Sequence, residues 1–161
     1  MVIIIMGVSG SGKTTIGQLL ARELSWQFYD GDDFHPQANI DKMHQGIALT
    51  DEDRAPWLAA LHTLIQECLR ADTPAVIACS ALKQSYRERL QAEPTKVHFV
   101  YLKGDYELIQ QRLRARSGHF MNADLLRSQF AALEEPEGVL TGDVAYSPPE
   151  IVQQIRQALQ L

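Results

Sequence analysis

Gly7-Val8-Ser9-Gly10-Ser11-Gly12-Lys13-Thr14, directly behind Val2-Ile3-Ile4-Ile5-Met6, is the stretch that decides the fold. It fits G-x-x-x-x-G-K-[ST] without exception, in the required context of a buried strand before and a helix after. The β-branched run has no polar alternation, as expected of a parallel strand covered on both faces. Behind the loop, Ile16, Leu19, Leu20 and Leu24 fall at helical spacing and predict a helix over Thr14 to Leu24. Glycines let such a loop wrap with its N–H groups pointing inward, and the helix N-terminus adds partial positive charge. Gly7, Val8, Ser9, Gly10, Ser11, Gly12, Lys13 and Thr14 are therefore expected to cradle a polyphosphate. In this pattern Lys13 reaches the β- and γ-phosphates and the Thr14 hydroxyl ligates Mg²⁺.

Working outward, the same alternation repeats. Gln27 to Tyr29 predicts a short second strand that delivers Asp30-Gly31-Asp32-Asp33, carboxylates at a strand end where open α/β sheets bind ligands. Pro36 to Ala48 shows no strong periodicity. Asp51 to Leu69 predicts a helix with Trp57, Leu58, Leu61, Leu64, Ile65, Cys68 and Leu69 on its apolar side, Thr50 as N-cap and Trp57 in the core. Ala75 to Cys79 and Val97 to Leu102 predict two more strands, with a helix over Gln84 to Gln91 between them. An Arg-rich helix follows from Asp105 to about Arg116, broken at Ser117-Gly118. Leu125 to Leu133 is helical again, Val139 to Val144 predicts a fifth strand, and Pro149 to Leu159 a closing helix. The expectation is an α/β fold in three layers: about five strands, mainly parallel, with helices on both faces.

Composition bounds the partners. The chain has 161 residues, 45% apolar, with a formal net charge of -5, enough for one domain spanning 1–161 to bury roughly 70% of its extended surface. Mild acidity argues against nucleic acid as a partner, since its binders usually carry a basic stripe. Cys68 and Cys79 form no C-x-x-C pattern and read as buried thiols. Val2 to Met6 is too short for a signal-peptide core and no run approaches a membrane span, so a cytoplasmic protein without membrane contact is expected. GTP switches would need an N-K-x-D signature, which is lacking, and Val76-Ile77-Ala78-Cys79 ends in Ser80 rather than a Walker B aspartate. In small-molecule and nucleoside-phosphate kinases the acids nearest the metal can instead come from the second strand, a role that Asp30 to Asp33 fits.

From Asp30 onward the chain resembles the gluconokinases, P-loop kinases that use ATP to phosphorylate D-gluconate on its 6-hydroxyl. The resemblance rests on Gly31-Asp32-Asp33-Phe34-His35-Pro36, Asn39, Lys42-Met43, Gly46, Leu49-Thr50-Asp51-Glu52-Asp53-Arg54 and Pro56-Trp57-Leu58. It resumes at Cys79-Ser80-Ala81-Leu82-Lys83, Tyr86-Arg87, Gly118-His119-Phe120-Met121, Ser128-Gln129-Phe130 and Leu133-Glu134-Glu135-Pro136. Ala48 departs from it, standing where the family's G-x-P-L turn has proline.

The resemblance implies a nucleoside-monophosphate-kinase-like fold with a mobile lid at about 103–127, ATP and Mg²⁺ as cofactors, D-gluconate as substrate, and a homodimer. Asp32 becomes the candidate to orient the attacking hydroxyl and take its proton, and Asp30 to hold Mg²⁺ with Thr14. Which of Asp30, Asp32 and Asp33 meets metal or substrate stays open. Arg54, Lys83 and Arg87 are the candidate cations for the gluconate carboxylate, an arginine fork being suited to a carboxylate, and Arg54 comes first by resemblance to shikimate kinase-like relatives. His35 is a further substrate candidate, with Lys42 and Asn39 beside it. By similarity to nucleoside-monophosphate and shikimate kinases, Arg112 and Arg116, at i and i+4, would lie near adenine and phosphates, Arg116 assisting transfer. Other small-acid or nucleoside-monophosphate kinases, and a regulatory nucleotide binder, are the competing readings.

Overall fold

The computed structural model describes residues 1–115 and 123–161. Its centre is β1 (Val2–Met6), whose five residues are all buried. Its neighbours are β3 (Ala75–Ala78) on one side and β4 (Val97–Lys103) on the other. β2 (Gln27–Asp30) and β5 (Leu140–Asp143) form the edges, giving the order β2-β3-β1-β4-β5 with every pairing parallel. Parallel neighbours need crossovers, and the intervening helices provide them.

Alternate residues of the central strands feed opposite cores. Val2, Ile4 and Met6 meet Trp57, Leu58, Leu61 and Ile65 of α3 (Asp51–Arg70), and Tyr86 and Leu90 of α4 (Gln84–Leu90). Ile3 and Ile5 meet Ile16 and Leu20 of α1 (Lys13–Leu24), and Ile151, Val152 and Ile155 of α7 (Pro148–Leu159). A third cluster joins Val8 of the phosphate loop and Leu82 to Ile109 and Leu113 of α5 (Tyr106–Ala115) and Leu126 of α6 (Ala123–Ala132). This is the expected three-layer architecture, with β1 aiming the loop at the edge of both cores. Cys68 and Cys79 are buried free thiols, and burial pushes the Cys79 thiol up to about 12. Among the described residues no helix is long and apolar enough to cross a membrane.

One element departs from expectation. Gln37–His44, inside the stretch without periodicity, is a helix, α2. Polar rather than apolar contacts dock it: Asn39 is buried and donates to the Asp53 carbonyl, and Lys42 pairs with the Asp53 carboxylate at 2.8 Å. A hydrophobic-period reading is blind to a helix held in that way. The predicted break at Ser117-Gly118 lies outside the described residues.

Candidate active site

The phosphate loop leaves β1 with a sequence that only glycine serves well. Gly10 and Gly12 have φ of +81° and +98°, in the left-handed region. A Cβ on Gly10 would stand 2.8 Å from Leu113 Cγ, so α5 packs directly on the loop. Gly12 is the N-cap of α1, and Lys13 opens the helix. Lys13 Nζ donates to the Val8 carbonyl at 2.9 Å. Ser11 is 1% exposed, and among the described residues its Oγ has no hydrogen-bond partner. An orphaned hydroxyl in a loop of left-handed glycines at the amino end of α1 suits the oxygens of a nucleotide phosphate.

β2 brings the acids alongside. The Thr14 hydroxyl donates to Asp30 Oδ2 at 3.2 Å, while Asp30 Oδ1 accepts from the Asp32 backbone N–H at 3.0 Å. Asp30 thus caps the 3-10 turn Gly31–Phe34 that carries Asp32. A neighbouring hydroxyl and carboxylate are hard oxygen donors of the kind Mg²⁺ takes alongside substrate phosphates and water. Among the described residues no cluster of three or more His, Cys, Asp or Glu could hold a metal. The turn is fixed from below: Trp57 Nε1 donates to the Gly31 carbonyl at 2.7 Å, and a Cβ on Gly31 would stand 2.5 Å from the Ala78 carbonyl. Asp32 is open to solvent yet set in a concave cleft. Loss of hydration there raises its carboxyl above the ordinary value, with the Lys13 ammonium pulling the other way and Asp30 and Asp33 adding to the rise.

Of the predicted residues, one cavity brings together Ser9, Lys13, Asp32, His35 and Arg54. Ser9, Lys13 and Asp32 form its reacting end; His35, Arg54 and Trp57 line its wall; Leu125, Ser128 and Gln129 of α6 close it. Ala48, at the site of the departure from the family turn, also lines it. Arg54 Nη1 donates to the Tyr86 hydroxyl at 3.1 Å, and that hydroxyl donates in turn to the Asp51 carboxylate. Lys83 does not reach this cavity. It lines an adjoining hollow with Arg54 and is ion-paired to Asp51 at 3.0 Å.

Arg87 needs a correction. It is 4% exposed, and its guanidinium donates to the carbonyls of Ala81 (2.8 Å), Leu82 (3.1 Å) and Glu134 (2.8 Å) and to Gln84 Oε1 (3.2 Å). Its donors are spent on the backbone that shapes the cleft, leaving no fork for a substrate carboxylate.

On the other side of the loop, Gly10, Ser11, Gly12 and Thr15 share a second cavity with Arg112, Val144, Tyr146 and Pro148. Arg112 Nη2 donates to the Val144 carbonyl at 2.6 Å. Arg116, the other expected phosphate-side arginine, lies outside the described residues, as does His119. Sequence reasoning assigned nothing to Gln129, whose Oε1 accepts from Ser9 N–H at 2.7 Å. The available signals were its place in the Ser128-Gln129-Phe130 segment of the resemblance and the polar pair Ser128-Gln129 set among Leu125, Leu126 and Phe130. Trp57, expected in the core, is both core and cavity wall.

A shikimate kinase family model matches residues 9–159. The thermosensitive gluconokinase of Escherichia coli K12 is 48% identical over 160 residues, covering 97% of this chain and 86% of that protein. The chain belongs to the gluconokinase family. Two solved structures agree. A gluconokinase from Sinorhizobium meliloti 1021 superposes with a TM-score of 0.88 at 43% identity, covering 98% of this chain and 90% of the other. A sugar kinase from Janibacter sp. HTCC2649 superposes with a TM-score of 0.93 at 41% identity, covering 99% and 94%. Gluconokinase membership makes the protein a kinase, with the nucleotide-binding loop described above as its shared core.

Proposed function

We propose that this gluconokinase-family chain transfers the γ-phosphoryl group of ATP to the 6-hydroxyl of D-gluconate, giving 6-phosphogluconate and ADP. The observation that carries the reading is a single cavity in which the phosphate-loop lysine Lys13, the carboxylate Asp32 and the guanidinium of Arg54 line one space. Those are the three groups that a phosphoryl transfer to an anionic polyol needs. Phosphoryl transfer passes through a loose transition state with charge spread over the γ-oxygens, so the protein's work is positioning and neutralisation.

In this reading the amides of Gly10, Gly12 and Lys13 bind the phosphates and Lys13 Nζ swings from the Val8 carbonyl to the γ-oxygens. Thr14 and Asp30 would hold Mg²⁺, which when bound supplies positive charge beside the transferring oxygens. Asp32 accepts the hydrogen bond of the 6-hydroxyl and takes its proton as the oxygen attacks. Its raised carboxyl makes it a better base than a free aspartate. Arg54, braced by Tyr86, takes the gluconate carboxylate. Lys83 adds positive potential from the adjoining hollow, and Arg112 borders the nucleotide base. The segment 103–127, with Arg116, closes over both substrates and excludes water. The domain of 1–161 works as a homodimer in the cytoplasm.

A coupled Mg-ATP assay over D-gluconate, other aldonates, shikimate and nucleoside monophosphates tests this. Turnover strongest with gluconate is expected. A preference for a nucleoside monophosphate, or ATP hydrolysis without an acceptor, would overturn it.

A further inference from the structure

His35 is half-buried in the wall of the substrate cavity, its ring stacked on Trp57 with centroids 4.3 Å apart and planes 12° apart. Its Nδ1 lies 3.2 Å from Asn39 Nδ2. Asn39 is 3% exposed, and the same Nδ2 donates to the Asp53 carbonyl at 2.8 Å. A backbone carbonyl can only accept, so the amide nitrogen, not the amide oxygen, must face it. The nitrogen that this constraint fixes is the one pointing at His35. An NH₂ group has two protons: one goes to Asp53, and the other requires a lone pair on Nδ1. The ring proton is then on Nε2. Among the described residues Nε2 has no hydrogen-bonding partner.

We propose that His35 works as a permanently neutral Nε2–H donor to an acceptor oxygen of the sugar acid held beside Arg54, and that Asn39 is the positioning residue that fixes this tautomer. The inference rests on the proposed gluconate site and adds to it a residue that chooses how the histidine is read. An imidazolium would set a second N–H against the Asn39 amide, donor against donor. Burial, and then the Arg54 guanidinium, already hold His35 down at about 4, so charge is excluded on two counts. The charged groups that share the cavity with the ring are Asp32 of the 3-10 turn, Arg54 of α3 and Lys13, and Asp53 of α3 and Lys42 of α2 reach it only through Asn39. Asp53 and Lys42 neutralise one another behind Asn39. A neutral donor next to Arg54 recognises oxygen without adding a second charge, and it does so unchanged through the pH range where a free histidine, near 6.5, would switch.

Two-bond ¹H–¹⁵N correlation spectra of the ligand-free protein read the tautomer directly and need no substrate. The expected result is an Nε2–H ring whose shifts stay constant from about pH 8 down to about pH 5.5. An Nδ1–H ring, or a midpoint near that of a free histidine, would overturn the proposal. Asn39→Asp puts an acceptor where the donor stood. It is expected to move the proton to Nδ1, raise the histidine pKa and create an acid limb in kcat/KM for gluconate above about pH 6, absent in the parent. His35→Phe keeps the stack on Trp57, and it is expected to raise KM for gluconate about tenfold with kcat within about twofold. An Asn39→Asp profile superposable on the parent's would count against Asn39, and if that variant does not fold, the spectra of the parent chain decide. Failure of the parent to phosphorylate gluconate would sink the proposed function instead, leaving the tautomer measurement intact.

Discussion

Gln129 Oε1 accepts the Ser9 backbone N–H at 2.7 Å, joining α6 to the phosphate loop across 120 residues of sequence. A neutral acceptor on that amide is compatible with phosphate nearby, whereas a charged one is not. Gln129→Glu places a carboxylate beside the phosphate oxygens, where two like charges at about 4 Å repel by several kcal/mol at an intermediate dielectric. Steady-state kinetics should show kcat/KM for ATP falling about a hundredfold with little change in melting temperature. An unchanged kcat/KM would separate Gln129 from the nucleotide.

Asp32 sits on a turn anchored twice at its start, by Asp30 through the Asp32 N–H and by Trp57 through the Gly31 carbonyl. Neither anchor uses the Asp32 carboxylate. Asp32→Asn therefore keeps the geometry and removes the base, and kcat should drop by about two orders of magnitude. Calorimetric affinity for a non-hydrolysable ATP analogue should stay within about threefold. Turnover close to that of the parent would take Asp32 out of the chemistry.

Arg54 and Arg87 make a matched pair of opposites. Arg87→Met strips donors from three backbone carbonyls in a buried setting, a loss of about 3 kcal/mol. Denaturant titration should show that loss, while KM for gluconate, measured where the variant is folded, stays within about twofold. Arg54→Met should do the reverse, raising KM about a hundredfold with a small change in stability. A large KM effect confined to Arg87 would reverse the two assignments.

The start of α3 carries a pH dependence of stability. Thr50 accepts from the Asp53 N–H, Asp53 accepts from the Thr50 N–H, and Lys42 pairs with the same carboxylate. The Lys42 hydrogen bond first, then the Thr50 backbone, lower Asp53 from the ordinary 3.8 to about 2. A depressed folded value means the carboxylate's stabilisation is complete above about 4 and is lost as pH falls through about 2. Thr50→Ala should lower stability by about 1 kcal/mol near neutrality. Melting curves from neutral pH into strong acid should show the difference between Lys42→Met, which removes the first of those causes, and the parent shrinking only below about pH 4.

Much of this was legible in the residues themselves. The loop, the buried β1 behind it and the apolar face of α3 follow from spacing, because glycine torsions and hydrophobic periods are local properties. α2 was not legible, because a buried asparagine and an ion pair to α3 hold it, and neither partner advertises the other along the chain. Arg87 was misread for a related reason. The sequence shows a cation behind a strand end, but not the carbonyls of Ala81 and Leu82 folded back around it. Gln129 and Asn39 stand in the quoted motifs, but their hydrogen bonds to distant backbone atoms leave no trace in the local spacing.

Ser9 and Gly10 are consecutive, yet Ser9 lines the cavity of Asp32 and Arg54 while Gly10 lines the cavity of Arg112 and Tyr146. Two reactants approaching from opposite flanks of one peptide unit have no shared entrance to compete for. Initial-rate lines should accordingly intersect rather than run parallel, each product should compete chiefly with the reactant of its own flank, and the transferred group should pass in one displacement without resting on a side chain in between.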